Sequence, residues 1–348
     1  MNALITFVVA YLAVTIAIGL LAARRVSNSR DYMVAGRSLP LYMNVATVFA
    51  TWFGAETVLS VSATFARDGL SGIPGDPFGA SVCLVLAALL FARLFYRMNL
   101  LTIGDFYRQR FGRGVEIFCS LAIILSYLGW VAAQITALGL VFNVLTGGAM
   151  SETAGMIVGT LAVLIYVVVG GFLAVAWTDF IQMIVLVVGM SVIAVFASDL
   201  AGGADKVITL ASSKELFNFL PPATFKDVAF FLAAGCTMML GSIPQQDIYQ
   251  RVMSARDAPT AARGAAIGGM AYILFAFVPM FIVGCAVVVM GEQALSLAKD
   301  DYQRLLPTFV MTKMPLVMQI LFFGALLSAI KSTSSATLLA PSTSFVEN

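Results

Sequence analysis

The sequence predicts an all-α, polytopic membrane protein of about nine transmembrane helices. Three observations carry this. Of the 348 residues, 60% are hydrophobic and only 11% charged, against roughly 25% charged in soluble domains. Apolar runs near 20 residues, the length that crosses a bilayer, recur along the whole chain. The alternation of a lipid-facing barrel strand is absent, and helices satisfy every backbone group within lipid.

The spans fall near 2–23, 41–66, 77–96, 116–145, 153–175, 177–199, 226–246, 264–290 and 315–341. The first ends in Arg24 and Arg25. A signal peptide carries its positive charge before the apolar stretch, so this run reads as a retained helix with the N-terminus outside. Arg30 and Arg37 follow it, Arg93, Arg97, Arg108, Arg110 and Arg113 surround the end of the third span, and Arg251, Arg256 and Arg263 follow the seventh. The positive-inside rule then makes the odd-numbered connections cytoplasmic, in a multi-pass protein of the cell membrane. The second and seventh spans enter from opposite sides. Units beginning at each would be inverted relative to one another, a plan common in secondary transporters.

Composition removes several functions. There is no histidine, the net charge is only +2, and no P-loop, nucleophile elbow or histidine metal motif occurs. An enzyme and a nucleic-acid partner are both excluded from the reading. Cys83, Cys119, Cys236 and Cys285 sit in apolar runs and read as small hydrophobes.

Four strings carry a family resemblance: Ala50-Thr51-Trp52-Phe53-Gly54-Ala55-Glu56-Thr57; Gly170-Gly171 followed by Trp177-Thr178-Asp179 and Gln182; Ile243-Pro244 leading to Tyr249-Gln250-Arg251; and Ser328-Ala329-Ile330-Lys331-Ser332-Thr333-Ser334-Ser335. Together they resemble the sodium:solute symporter family, with closest likeness to its choline-transporter branch. The resemblance implies a cation-coupled transporter of a small organic solute on a LeuT-type inverted-repeat core, in one transmembrane domain. Residues 1–40 would be an extra first helix and cytoplasmic loop, 41–199 the first five-helix repeat, and 200–348 an incomplete second repeat with three of its five helices. A fragment, an inactive truncated transporter and a membrane sensor built on the symporter fold therefore stand as alternatives. Oligomeric state stays open.

The resemblance also implies sites. Sodium is the expected ion, with no other cofactor. Its ligands would be the carbonyls of Ala50, Phe53 and Ala329 and the hydroxyls of Ser332 and Thr333. Hard oxygens suit such a cation, and residues 329, 332 and 333 share one helical face. Serines and threonines in a membrane helix also serve packing. Trp52 and Trp130 match aromatic positions that the choline branch uses around its solute, and ring faces suit a quaternary ammonium. The third cage position is Gln245 here, so a more polar solute is as much expected as choline. Packing residues remain the alternative for both tryptophans, and Trp177 reads as an interface anchor at a turn.

Three charges, Glu56, Asp179 and Lys331, are candidates for coupling or gating. An intramembrane lysine is a functional candidate by default. Lys331 lies about 200° around the helix from Ala329, away from the ligand face, although an unwound segment would keep sodium-independent transport open. Because the family packs the second span on the ninth, Lys331 is expected to approach Glu56 more closely than Asp179.

Overall fold

The computed structural model describes residues 2–348. Long apolar helices dominate it. α1 spans Asn2–Ala23, followed by the pair α2 (Leu41–Trp52) and α3 (Glu56–Asp68). α4 spans Pro74–Arg97, α5 Arg113–Leu145 and α6 Glu152–Ala201. A short α7 (Ala204–Ser213) precedes α8 (Phe225–Gly241), α9 (Gln246–Ser254), α10 (Ala258–Met290) and α11 (Leu316–Glu347).

Polarity is inverted relative to a soluble protein. Leu89, Phe118, Leu125, Val168 and Leu274 are exposed, whereas Asn44, Asp179, Asp247, Arg251 and Lys331 are buried. Lipid solvates the apolar surface, and the polar groups must satisfy one another inside. α11 is the most enclosed span, packing on α6, α5, α1 and α2.

Two spans are interrupted. α2 and α3 meet at 57°, and α8 and α9 at 41°, so the second and seventh crossings each consist of two half-helices. Phe53 closes α2 by donating its N–H to Phe49 O at 3.0 Å, at φ −88° and ψ 73°. Gly54 is required there because a Cβ would lie 2.7 Å from both Thr333 Oγ1 and Glu56 Oε2.

The two broken spans run in opposite directions. Leu39 bonds the backbone of Ser254 and Arg256, Asn44 donates to Arg251 O, and Trp52 reaches Asp247. Residue numbers rise along one span as they fall along the other.

α6 departs from expectation. Two spans with a turn near 176 were expected, but the helix runs through that point and breaks at Gly171 instead (φ 50°, ψ −144°). Fifty helical residues extend about 75 Å, far beyond a hydrocarbon core of about 30 Å, so α6 comprises two crossings. Counted this way, the described residues cross nine times. Trp177 lies within a helix rather than at a turn, with the Arg25 guanidinium 6.0 Å from its ring. Arg251, counted above among loop arginines, is inside α9 and buried. It therefore carries no weight as a topology signal.

Candidate functional site

The helix breaks surround a cavity of about 190 Å³. Trp52 is the last residue of α2, Trp130 lies midway along α5, and Gln245 sits in the gap between α8 and α9. All three line this space. The tryptophan rings are edge-to-face at 5.9 Å and 65°, and Trp130 stacks on Tyr127 at 5.9 Å and 22°. Trp52 is fixed by donating Nε1–H to Asp247 Oδ2 at 3.0 Å. The Tyr127 hydroxyl donates to the other Asp247 oxygen and accepts the Asp247 N–H at 2.9 Å. Both indoles are thus held by protein contacts with part of each ring facing the cavity.

Glu56, at the start of α3, and Asp76, from the segment opening α4, line the same cavity. The Gln134 amide donates to Glu56 Oε1 at 2.5 Å, and the Tyr272 hydroxyl donates to Asp76. A larger cavity of about 310 Å³ between α3, α7 and α10 is almost wholly apolar, with Lys214 its one charged neighbour. It offers no chemistry comparable to the tryptophan cavity.

Of the expected cation ligands, the structure brings Thr333 to the break in the second span and Ser332 to Asp179. Ending α2 at Trp52 releases the carbonyls of its last turn, including that of Ala50, and the Phe53 carbonyl lies in the break. Thr333 approaches this break, donating to Thr51 O at 2.9 Å. Ser332 donates to Asp179 Oδ1 at 2.6 Å. Ala329 is buried in the unbroken α11, so its carbonyl has only its second lone pair to offer. The set is neutral, oxygen-only and composed of carbonyls and hydroxyls, which fits a hard monovalent cation.

On the α2–α9 side of the tryptophans lies a charged network. Arg251 donates Nε–H to Thr47 O at 3.1 Å and Nη1–H to Asp247 O at 2.9 Å. Its Nη2 stands 4.0 Å from Asp179 Oδ2, and its guanidinium lies 5.2 Å from the Phe172 ring. Through Asp179 the network reaches Ser332, linking the hydroxyl pair to the bond that fixes Trp52.

The expected pairing of Lys331 with Glu56 is not found. Lys331 donates Nζ–H to Thr15 of α1 and lies 5.8 and 5.6 Å from the rings of Tyr11 and Tyr166. Tyr11 and Ser328 share a hydrogen bond beside it. Glu56 points across the break toward Gln134. The reason is helical: Lys331 follows the stripe of Ser328, which faces α1, whereas Thr333 two residues on faces Gly54. Neither group has an ion-pair partner among the described residues. Lys331→Met should therefore raise the apparent melting temperature, by the equivalent of roughly 1–3 kcal/mol, because a methionine relieves the cost of the buried ammonium. Combined with Glu56→Gln, the effects should add within about 0.5 kcal/mol. A thermal-shift series in detergent showing strong coupling between the two changes would restore the pair.

Sequence reasoning missed Asp76, Tyr127, Gln134, Tyr272 and the roles of Asp247 and Arg251. Asp76 lies one residue before the apolar run at 77–96, outside the expected span. Intramembrane charge alone, the signal applied to Lys331, would have marked Asp247 had the seventh span been extended by one residue.

The sequence profile described as "Sodium:solute symporter family" matches residues 32–348. The High affinity choline transporter 1 of Homo sapiens is 26% identical over 359 residues, covering 99% of this chain and 61% of that protein. The High-affinity proline transporter PutP of Bacillus subtilis (strain 168) is 28% identical over 340 residues, covering 95% of this chain and 70% of its own length. Against the choline transporters of human and Caenorhabditis elegans the chain spans about three fifths of their length. A substrate-bound, outward-open structure of a Na+-coupled sialic acid symporter superposes with a TM-score of 0.86 at 23% identity, covering 99% of this chain and 74% of that one. With the family profile matching nine tenths of its length, this chain belongs to the sodium:solute symporter family.

Proposed function

We propose that the protein carries a small organic solute across the cell membrane, coupled to a cation, with sodium the favoured ion and the N-terminus outside. The observation that supports this most is the pair of interrupted, oppositely running spans meeting at one cavity. Half-helix ends at a cavity are how transporters expose backbone polar groups within lipid. Units beginning at 41 and 200 as inverted repeats, behind a first helix over 1–40, fit the same geometry.

In this orientation α3 and α8 are outer half-helices, α2 and α9 inner ones. The solute would rest on Trp52, Trp130 and Gln245, with Glu56 beside it. Ala50, Phe53, Ala329, Ser332 and Thr333 would hold the ion, whose charge would draw on the hydroxyl dipoles of Ser332 and Thr333. The Arg251 network closes the inner side. Release inward requires Arg251 to leave Thr47 and Asp179, which ties opening to the state of Ser332.

Solute uptake into proteoliposomes, with and without a sodium gradient, tests the reading. Accumulation should need sodium. Ser332→Ala and Thr333→Val should each raise the half-saturating sodium concentration by roughly tenfold, the effect of one lost contact to a charged group. Equal accumulation in sodium-free medium would remove sodium from the scheme.

A further inference from the structure

The cavity walls carry more information about the solute than the tryptophans alone. Resting on the reading of this cavity as the solute site, we propose that it takes an organic cation bearing N–H donors, a protonated amine or guanidinium, in preference to a quaternary ammonium.

Charge gives the first half of the argument. Glu56 and Asp76 both line the cavity, and no lysine or arginine does. Neither carboxylate makes an ion pair among the described residues. Two carboxylates beside so small a space favour a cation and disfavour a carboxylate-bearing solute.

The hydrogen-bond inventory gives the second half. The donors along the wall are spent on the protein. Trp52 donates to Asp247 at 3.0 Å and Tyr272 donates to Asp76. Ser126 donates to Ile123 O at 2.7 Å, and Ser242 donates to Met238 Sδ at 3.6 Å. Trp130 is directed at Glu56. Only the Gln245 amide keeps free N–H groups. Acceptors, in contrast, are in surplus. An ionised carboxylate offers about four lone-pair sites. Glu56 takes the amide of Gln134, and Asp76 takes one hydroxyl. Gln245 Oε1 is buried with no donor.

A quaternary ammonium would satisfy the ring faces and the charge. It would leave these acceptors facing methyl groups, the arrangement by which a polar site rejects analogues lacking a donor. An ammonium or guanidinium donates to them while its charge still meets the rings.

Two methylation ladders test this on the purified chain, read by quenching of tryptophan fluorescence. One runs from ethanolamine through its N-methyl and N,N-dimethyl forms to choline. The other compares butane-1,4-diamine with its fully N-methylated bis-quaternary form. Affinity should fall by about tenfold or more from the unmethylated to the quaternary member. The isosteric variants Glu56→Gln and Asp76→Asn should flatten the ladders. Trp52→Phe should weaken all members alike. Equal or tighter binding of the quaternary forms overturns the proposal, as does the absence of quenching by every member of both series. Choline-preferring uptake would overturn it while leaving the transporter reading intact. Ladder-dependent binding without uptake in proteoliposomes would do the reverse.

Discussion

Arg251→Met is expected to destabilise the protein by about 3–5 kcal/mol and to abolish transport. Arg251 is 0% exposed and sits between Asp179 and the Asp247 backbone. Methionine fills similar volume but supplies no charge, so Asp179 and Asp247 would remain buried without a cation. Breaking a buried pair from one side costs this much because the orphaned charge, rather than the lost attraction, dominates. The carbonyls of Thr47 and Asp247 also lose their donor. Apparent melting temperature in detergent and uptake by proteoliposomes give the two readings. A variant that melts with the parent protein would show that the network contributes nothing to the fold. Adding Asp179→Asn to Arg251→Met should recover part of the melting temperature without recovering transport, since Ser332 keeps a partner while the charge is removed.

The second large effect is expected from a single methyl group. Gly171→Ala should sharply reduce the yield of folded protein. At φ 50° and ψ −144° the backbone occupies a region essentially reserved for glycine. The new Cβ would also collide with the Tyr32 carbonyl and meet its ring at 2.6 Å. Neither obstacle is the flexible end of a side chain, so relaxation must shift the main chain of α6 or of the segment after α1. Gly129→Ala is the matched control. Gly129 lies within α5, where an added Cβ meets nothing within 4 Å. Alanine there should stabilise by about 0.5–1 kcal/mol through helix propensity. Size-exclusion yield compared between the two variants decides the matter, and equal yields would sink the argument about Gly171.

Neither of these two sites was legible in the sequence, whereas the overall architecture was. The apolar runs placed all nine crossings, because about 20 apolar residues have few alternatives to spanning. The break in the second span falls at Gly54 between Thr51 and Thr57, short residues with little reason to stay helical in lipid. Gly171 was not legible. The residues around it, from Val167 to Trp177, are as apolar as the helix itself, and its positive φ comes from the approach of Tyr32. Partner choice was hidden for the same reason. Helical periodicity correctly turned Lys331 away from Ala329. Which helix waits on that side depends on packing, which the sequence pattern does not encode. Trp52, Trp130 and Gln245 were found together because the family pattern named them. Asp76 and Tyr272 complete the wall from segments separated by 196 positions.

The attachment of α1 has a mechanical consequence. Tyr11 bonds Ser328 and Lys331 bonds Thr15, two stitches one turn apart along the same helical seam. Thr15, Ser328 and Lys331 are buried, so water competes poorly for these bonds and the seam resists shear as well as separation. α1 and α11 should therefore behave as one plank. Any change in tilt of the broken spans should leave the first helix fixed to α11 rather than drifting in lipid.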